Sequence, residues 1–95
     1  MKKPVVTTED YTIYLEEDCG FWFIHCDCQR WTNSIRKKML NDLEKIQKDD
    51  LFAIHEHSDK KHEKFLRLFK FAFLKDFTGL DGKLRQLYIR RILWV

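Results

Sequence analysis

Residues His62 to Phe77, HEKFLRLFKFAFLKDF, change their period in mid-course. Phe65, Leu66, Leu68 and Phe69 fall on a helical stripe, whereas Phe71, Phe73 and Phe77 recur at even spacing, the spacing of a strand. A helix therefore runs almost without a linker into a strand. It must pack tightly against the sheet it feeds, and the rest of the chain must cover the aromatic cluster between them.

Ser58 and Asp59 supply capping side chains for this helix, Lys60 to Phe69, and the strand it feeds is Phe71 to Phe77. Upstream lies LFAIHEH, Leu51 to His57, a short strand. Before it, Thr32, Asn33 and Ser34 precede a second helical pattern, with Ile35, Met39, Leu43 and Ile46 on one side and Arg36, Lys37, Asp42, Glu44, Lys45 and Lys48 on the other. Farther back, Tyr11 to Glu16 alternates, Glu17 to Gly20 offers a turn, and Phe21 to Asp27 resumes as a more hydrophobic strand. A whole helix separates that strand from Leu51 to His57, so the two run parallel in a right-handed βαβ unit. Downstream, Thr78 to Gly82 carries hairpin chemistry ahead of a last strand from Lys83 or Leu84 to Leu93. The expected fold is α+β, a ββαβαββ mixed sheet with two helices and a parallel pair at its centre. Met1 to Asp10 reads as a loosely held arm or edge.

Ninety-five residues make one domain, 1–95, and 44% hydrophobic with 15% aromatic content supports one core. A net charge of +3 is mild. The basic runs at Arg36 to Lys38, Lys60 to Lys64 and Arg85 to Arg91 are interleaved with acids, and no recognition helix or stacking-sheet motif accompanies them, so nucleic acid is not an expected partner. No stretch approaches the ~20 apolar residues of a membrane span, and the start lacks a signal-peptide run. Cys19, Cys26 and Cys28 cannot all pair within the chain and are expected as reduced thiols. Together these features lead to the expectation of a soluble, cytoplasmic protein.

The element order, with a helix opening after a central strand and a second helix followed at once by a strand, resembles the C-terminal two-thirds of the GNAT superfamily of acyl-CoA-dependent N-acetyltransferases. KFLRLFKFAF, Lys64 to Phe73, is similar to that family's helix-to-strand passage, in which a Leu-rich or aromatic helix ends in Gly-Phe. The Asp81-Gly82 hairpin before a terminal strand fits as well, and the likeness covers residues 11–93. Small degenerate relatives of this kind occur in tailed bacteriophages, which implies a phage-encoded chain, in the host cytoplasm or the virion.

The resemblance implies an acetyl-CoA site, with the pyrophosphate on backbone N–H groups at the first helix start, here Asn33, Ser34, Ile35, Arg36 and Lys37. The family's glycines are missing from it, and Arg36 stands where a hydrogen or methyl is usual. The family's general acid, a Tyr on the second helix, falls at Leu66, and its Gly at Lys70. A substitute acid or base could come from His55 and Glu56 on the third strand, with His25 on the neighbouring strand, where the family opens a cleft between splayed strands for the pantetheine arm. The competing reading of His55 is a satisfied, buried histidine.

Cys26-x-Cys28 and His55-x-His57 lie at the same ends of two adjacent strands, but the spacing departs from zinc modules and no metal is expected. Trp22 reads as core, and Trp31, beside Arg30, as half exposed. The Leu-Trp-Val ending reads as an exposed edge strand, with Tyr88, Arg90, Ile92 and Trp94 on one face, which favours self-association or a protein partner. The expected function is a GNAT-like protein with a degenerate acetyl-CoA site, in a non-catalytic binding or structural role through protein contacts. The alternative is a minimal acetyl-CoA-dependent N-acetyltransferase acting on an amine.

Overall fold

A computed structural model describes residues 2–92. The order is β1 (Lys2–Thr7), β2 (Tyr11–Asp18), β3 (Phe21–Cys28), α1 (Asn33–Ile46), β4 (Leu51–Glu56), α2 (Lys60–Leu68), β5 (Ala72–Thr78) and β6 (Leu84–Arg90). The strands form one six-stranded sheet in the order β1-β2-β3-β4-β6-β5. Only β3 and β4 are parallel, as the intervening helix requires; the other neighbours are antiparallel. The α+β class and the central parallel pair agree with the sequence reading. Among the described residues no helix is long and apolar enough to cross a membrane.

The passage from α2 to β5 is a helix end with defined chemistry. Asp59 caps the start, its carboxylate accepting the His62 N–H at 3.0 Å. At the other end Lys70 adopts φ 65°, its N–H donates to the Arg67 carbonyl at 3.1 Å, and the Phe71 N–H reaches back to Leu66 at 2.9 Å. This is the Schellman arrangement, with Phe71 and Leu66, the pair that commonly forms its apolar contact, both buried in the same core cluster. The even spacing of Phe71, Phe73 and Phe77 does not survive as one strand face, because the pairing of β5 with β6 shifts register between Phe73 and Lys75. Phe73 sits edge-on to Tyr88 at 5.9 Å, while Phe77 lies opposite Arg85.

Two further expectations change. Lys2–Thr7 is a paired edge strand with a bulge between Pro4 and Val6, so of the two readings of the lead-in it is the edge. The last strand, in contrast, is not an edge: β6 lies between β4 and β5. The α2 crossover carries the chain past the vacant position beside β4, and the hairpin brings β6 back into it. Trp94 lies outside the described residues, and Arg91 and Ile92 lie beyond the end of β6.

One core joins both helices to one sheet face. Ile35, Met39 and Leu43 of α1 and Leu66 and Phe69 at α2 pack with Tyr11, Ile13, Ile24, Leu51, Ala53 and Tyr88. Trp22 packs partly buried against this core, and half-exposed Trp31 lies 6.1 Å from both Phe65 and Phe69. Buried polar groups tie the layers: Tyr11 donates its hydroxyl to Asp42, and Gln47, the C-cap of α1, bonds both the guanidinium and the carbonyl of Arg90. The opposite sheet face carries Phe21 and Phe23 around Phe52, with Phe21 54% and Ile54 46% exposed.

Candidate functional site

Parallel pairing of β3 with β4 stops after two residue pairs, Trp22↔Leu51 and Phe23↔Phe52. Both strands continue. β3 stays paired to β2 as far as Cys28, and β4 to β6 as far as Glu56. Beyond Phe23 and Phe52 the inner edges of the two strands therefore diverge as a wedge whose main-chain groups lack the partners a continuous sheet would give them.

The wedge is a cleft of about 590 Å³ that crosses the sheet. From the helix side it is lined by Ile24, Cys26, Ala53, His62, Phe65 and Leu66. From the other side it is lined by Lys2, Glu16, Phe23, His25 and Ile54. A volume of this order suits a small organic ligand, and the mixture of apolar walls with a few polar groups is the usual lining of such sites.

The polar groups are held in pairs. Glu16 lies 3.1 Å from His25 Nε2, and that bond keeps its carboxyl below the usual glutamate value. On the helix side, Nδ1 of His62 is 2.9 Å from Nδ1 of His55. Burial, with the neighbouring His55 adding to it, pulls the His62 ring below the ordinary histidine value, while Asp59 acts in the opposite direction.

The wedge thiols are poor nucleophiles. Burial pushes Cys26 up to about 12 and raises Cys28 as well, the Asp27 charge reinforcing both.

The sequence-derived candidates fare differently. His55 is 1% exposed, in ring contact with Tyr88 and His62, and is not among the residues that line the wedge. Glu56 is exposed at the end of β4, with Arg85 Nε 3.8 Å away. His57 lies past the end of β4, 3.6 Å from Asp76, although the sequence reading carried the strand on to it.

Asn33, Ser34, Ile35, Arg36 and Lys37 open α1, and none of them lines the wedge. Ile35 is core, its N–H is taken by the Thr32 hydroxyl at 3.1 Å, and the Arg36 N–H bonds the Thr32 carbonyl at 2.9 Å. Asn33 and Ser34 alone keep N–H groups without an intrahelical acceptor. Leu66, where the resemblance led one to look for a tyrosine, lines the wedge at 1% exposure.

His62 is the functional candidate that sequence reasoning missed. It sits inside the stretch that decides the fold, but only the crossing of α2 over β4 reveals its partner.

Among the described residues no group of three or more His, Cys, Asp or Glu could hold a metal ion. Cys26 lies in the wedge while His55 and His57 are each engaged elsewhere. Comparison of the chain with known protein families, with curated proteins and with solved structures finds no match.

Proposed function

We propose that the chain is a GNAT-like binding protein whose wedge takes an extended, amide-bearing ligand of the acyl-CoA pantetheine kind, without the family's acetyl transfer. The observation that carries this reading is the end of β3–β4 pairing after Phe23 and Phe52, which opens two strand edges toward one another. An extended chain with amide groups can bond to both edges, as an added strand would. The left-handed Lys70 followed by buried Phe71 supports the same alignment, since a Gly-Phe pair suits that helix end.

The non-catalytic reading rests on three features. Leu66 has no proton to exchange, His55 does not line the wedge, and the α1 start offers two free N–H groups rather than a glycine loop. The exposed Phe21 and Ile54 on the open sheet face favour a role through protein contacts. One observation favours the acetyltransferase alternative: His62 lines the wedge and is biased toward its neutral, proton-accepting form.

Calorimetric titration with acetyl-CoA tests the proposal, together with an assay for free coenzyme A thiol in the presence of amines. Binding at micromolar concentration without thiol release is the expected result. Amine-dependent release would replace it with the enzyme reading, and no binding at millimolar concentration would overturn both.

A further inference from the structure

We propose that His55 and His62 form a proton-operated latch on the wall of the wedge, shut while an Nδ1 proton lies between the rings and released when each ring carries its own. The latch takes the wedge as the ligand site and adds its regulation. His55 projects from β4 into the core at 1% exposure, and His62 lies in the first turn of α2. Their Nδ1 atoms are 2.9 Å apart and their ring centroids 5.1 Å. A contact between two Nδ1 atoms needs a proton on one and a lone pair on the other. Two neutral rings satisfy it, and so does one neutral ring with one imidazolium. Two imidazolium rings place like charges and two donors face to face with no acceptor between them, and His55, at 1% exposure, has no solvent to turn to.

The surroundings leave the pair to govern itself. The Asp59 carboxylate is engaged by the backbone N–H of His62 at 3.0 Å, and Phe65 stacks on the His62 ring at 6.3 Å. Tyr88 of β6 meets His55 edge-on at 5.6 Å. Lys61 lines the wedge beside His62, with Cys26 on the same side of the sheet and Asp27 on the other. Among these, Asp59 and Asp27 favour a charged pair, and Asp59, although it also accepts the His62 N–H, works against the lowering that burial and His55 impose on His62.

The fold favours the neutral form of His62, so its contribution is complete above the ordinary value of 6.5 and is lost as pH falls from there through the lower folded value. Because His62, Phe65 and Leu66 form the helix wall of the wedge, release moves that wall and weakens ligand binding in acid.

The test follows the histidine Cε1–Hε1 resonances and the amide exchange of Glu63 to Leu66 by NMR between pH 8 and pH 5. His25 and His57, which contact Glu16 and Asp76 rather than a second histidine, serve as internal references. The expected result is a His62 midpoint below 6.5, with amide exchange in α2 accelerating about tenfold, beyond its intrinsic pH dependence, in the same step. His62→Gln, at a half-buried helix position that tolerates an amide, removes the step while the protein stays folded. A His62 midpoint at or above 6.5 with α2 unchanged, or a step that persists in His62→Gln, overturns the latch. Acetyl-CoA titrated at both pH extremes separates the two readings: weaker binding in acid supports both. If nothing binds at either pH while the step is present, the latch stands and the wedge is not the acyl-CoA site.

Discussion

Arg90 donates from Nε to the carbonyl of Phe69 at 2.9 Å, so the end of β6 closes the end of α2. The same guanidinium meets the side-chain oxygen of Gln47, whose amide returns a bond to the Arg90 carbonyl at 2.8 Å. One buried arginine thus joins the ends of α1, α2 and β6, with Glu44 3.6 Å away to balance its charge.

Arg90→Met removes these donors and leaves the Gln47 oxygen and the Phe69 carbonyl buried without partners. We expect a loss of about 2–4 kcal/mol in denaturant unfolding. Adding Gln47→Leu removes one of the orphaned groups, so the double variant is expected to lose less than the sum of the singles. Strict additivity would mean that the three ends are held independently.

Lys70 adopts a left-handed conformation at φ 65° where glycine would carry no steric cost. Its ammonium reaches Glu44 only at 4.0 Å and stays exposed, so little is lost with the side chain. Lys70→Gly is expected to stabilise the protein by about 1 kcal/mol, raising Tm by roughly 4–8 °C. A lower Tm would show that the Lys70 side chain contributes more than its backbone strain costs.

The three thiols differ in burial and in the charge around them. Cys19 is exposed in the β2–β3 turn, while Cys26 lies in the wedge with its thiol pushed up to about 12. Labelling with a disulfide reagent at pH 8 is expected to modify Cys19 first and Cys26 last. Acetyl-CoA is expected to slow Cys26 and Cys28 and leave Cys19 unaffected, because only the first two line the cleft. Rapid modification of Cys26 would contradict the closed walls on either side of it.

How far the sequence discloses this molecule depends on how local each feature is. The βαβ unit was legible because Ile35, Met39 and Leu43 recur at helical spacing between two apolar strands, and all three are buried where that pattern puts them. The helix end near Lys70 was legible from the change of period, the helical stripe stopping at Phe69 and strand spacing starting at Phe71. β1 was only half legible, since KKPVVT carries a proline and two lysines that suit an edge as readily as an arm. The place of β6 inside the sheet was not legible, because no local pattern states which vacant position a returning hairpin will take.

The site follows the same rule. Glu56 and His55 were chosen from their strand, and His55 takes the competing reading, a buried histidine. That burial keeps it out of the wedge lining. His62 belongs to the wedge because of a contact between residues seven apart on different elements, and the wedge itself exists because pairing stops after Phe23, a fact that no residue type announces.

Amide chemical-shift mapping during an acetyl-CoA titration reports whether the ligand lies between β3 and β4. We expect saturable shifts at micromolar ligand concentration concentrated on Ile24 to Cys28 and Ala53 to Glu56, the two open strand edges, with His62 following. Shifts absent up to millimolar ligand, or confined to Asn33 to Lys37 at the start of α1, would contradict a ligand held between β3 and β4.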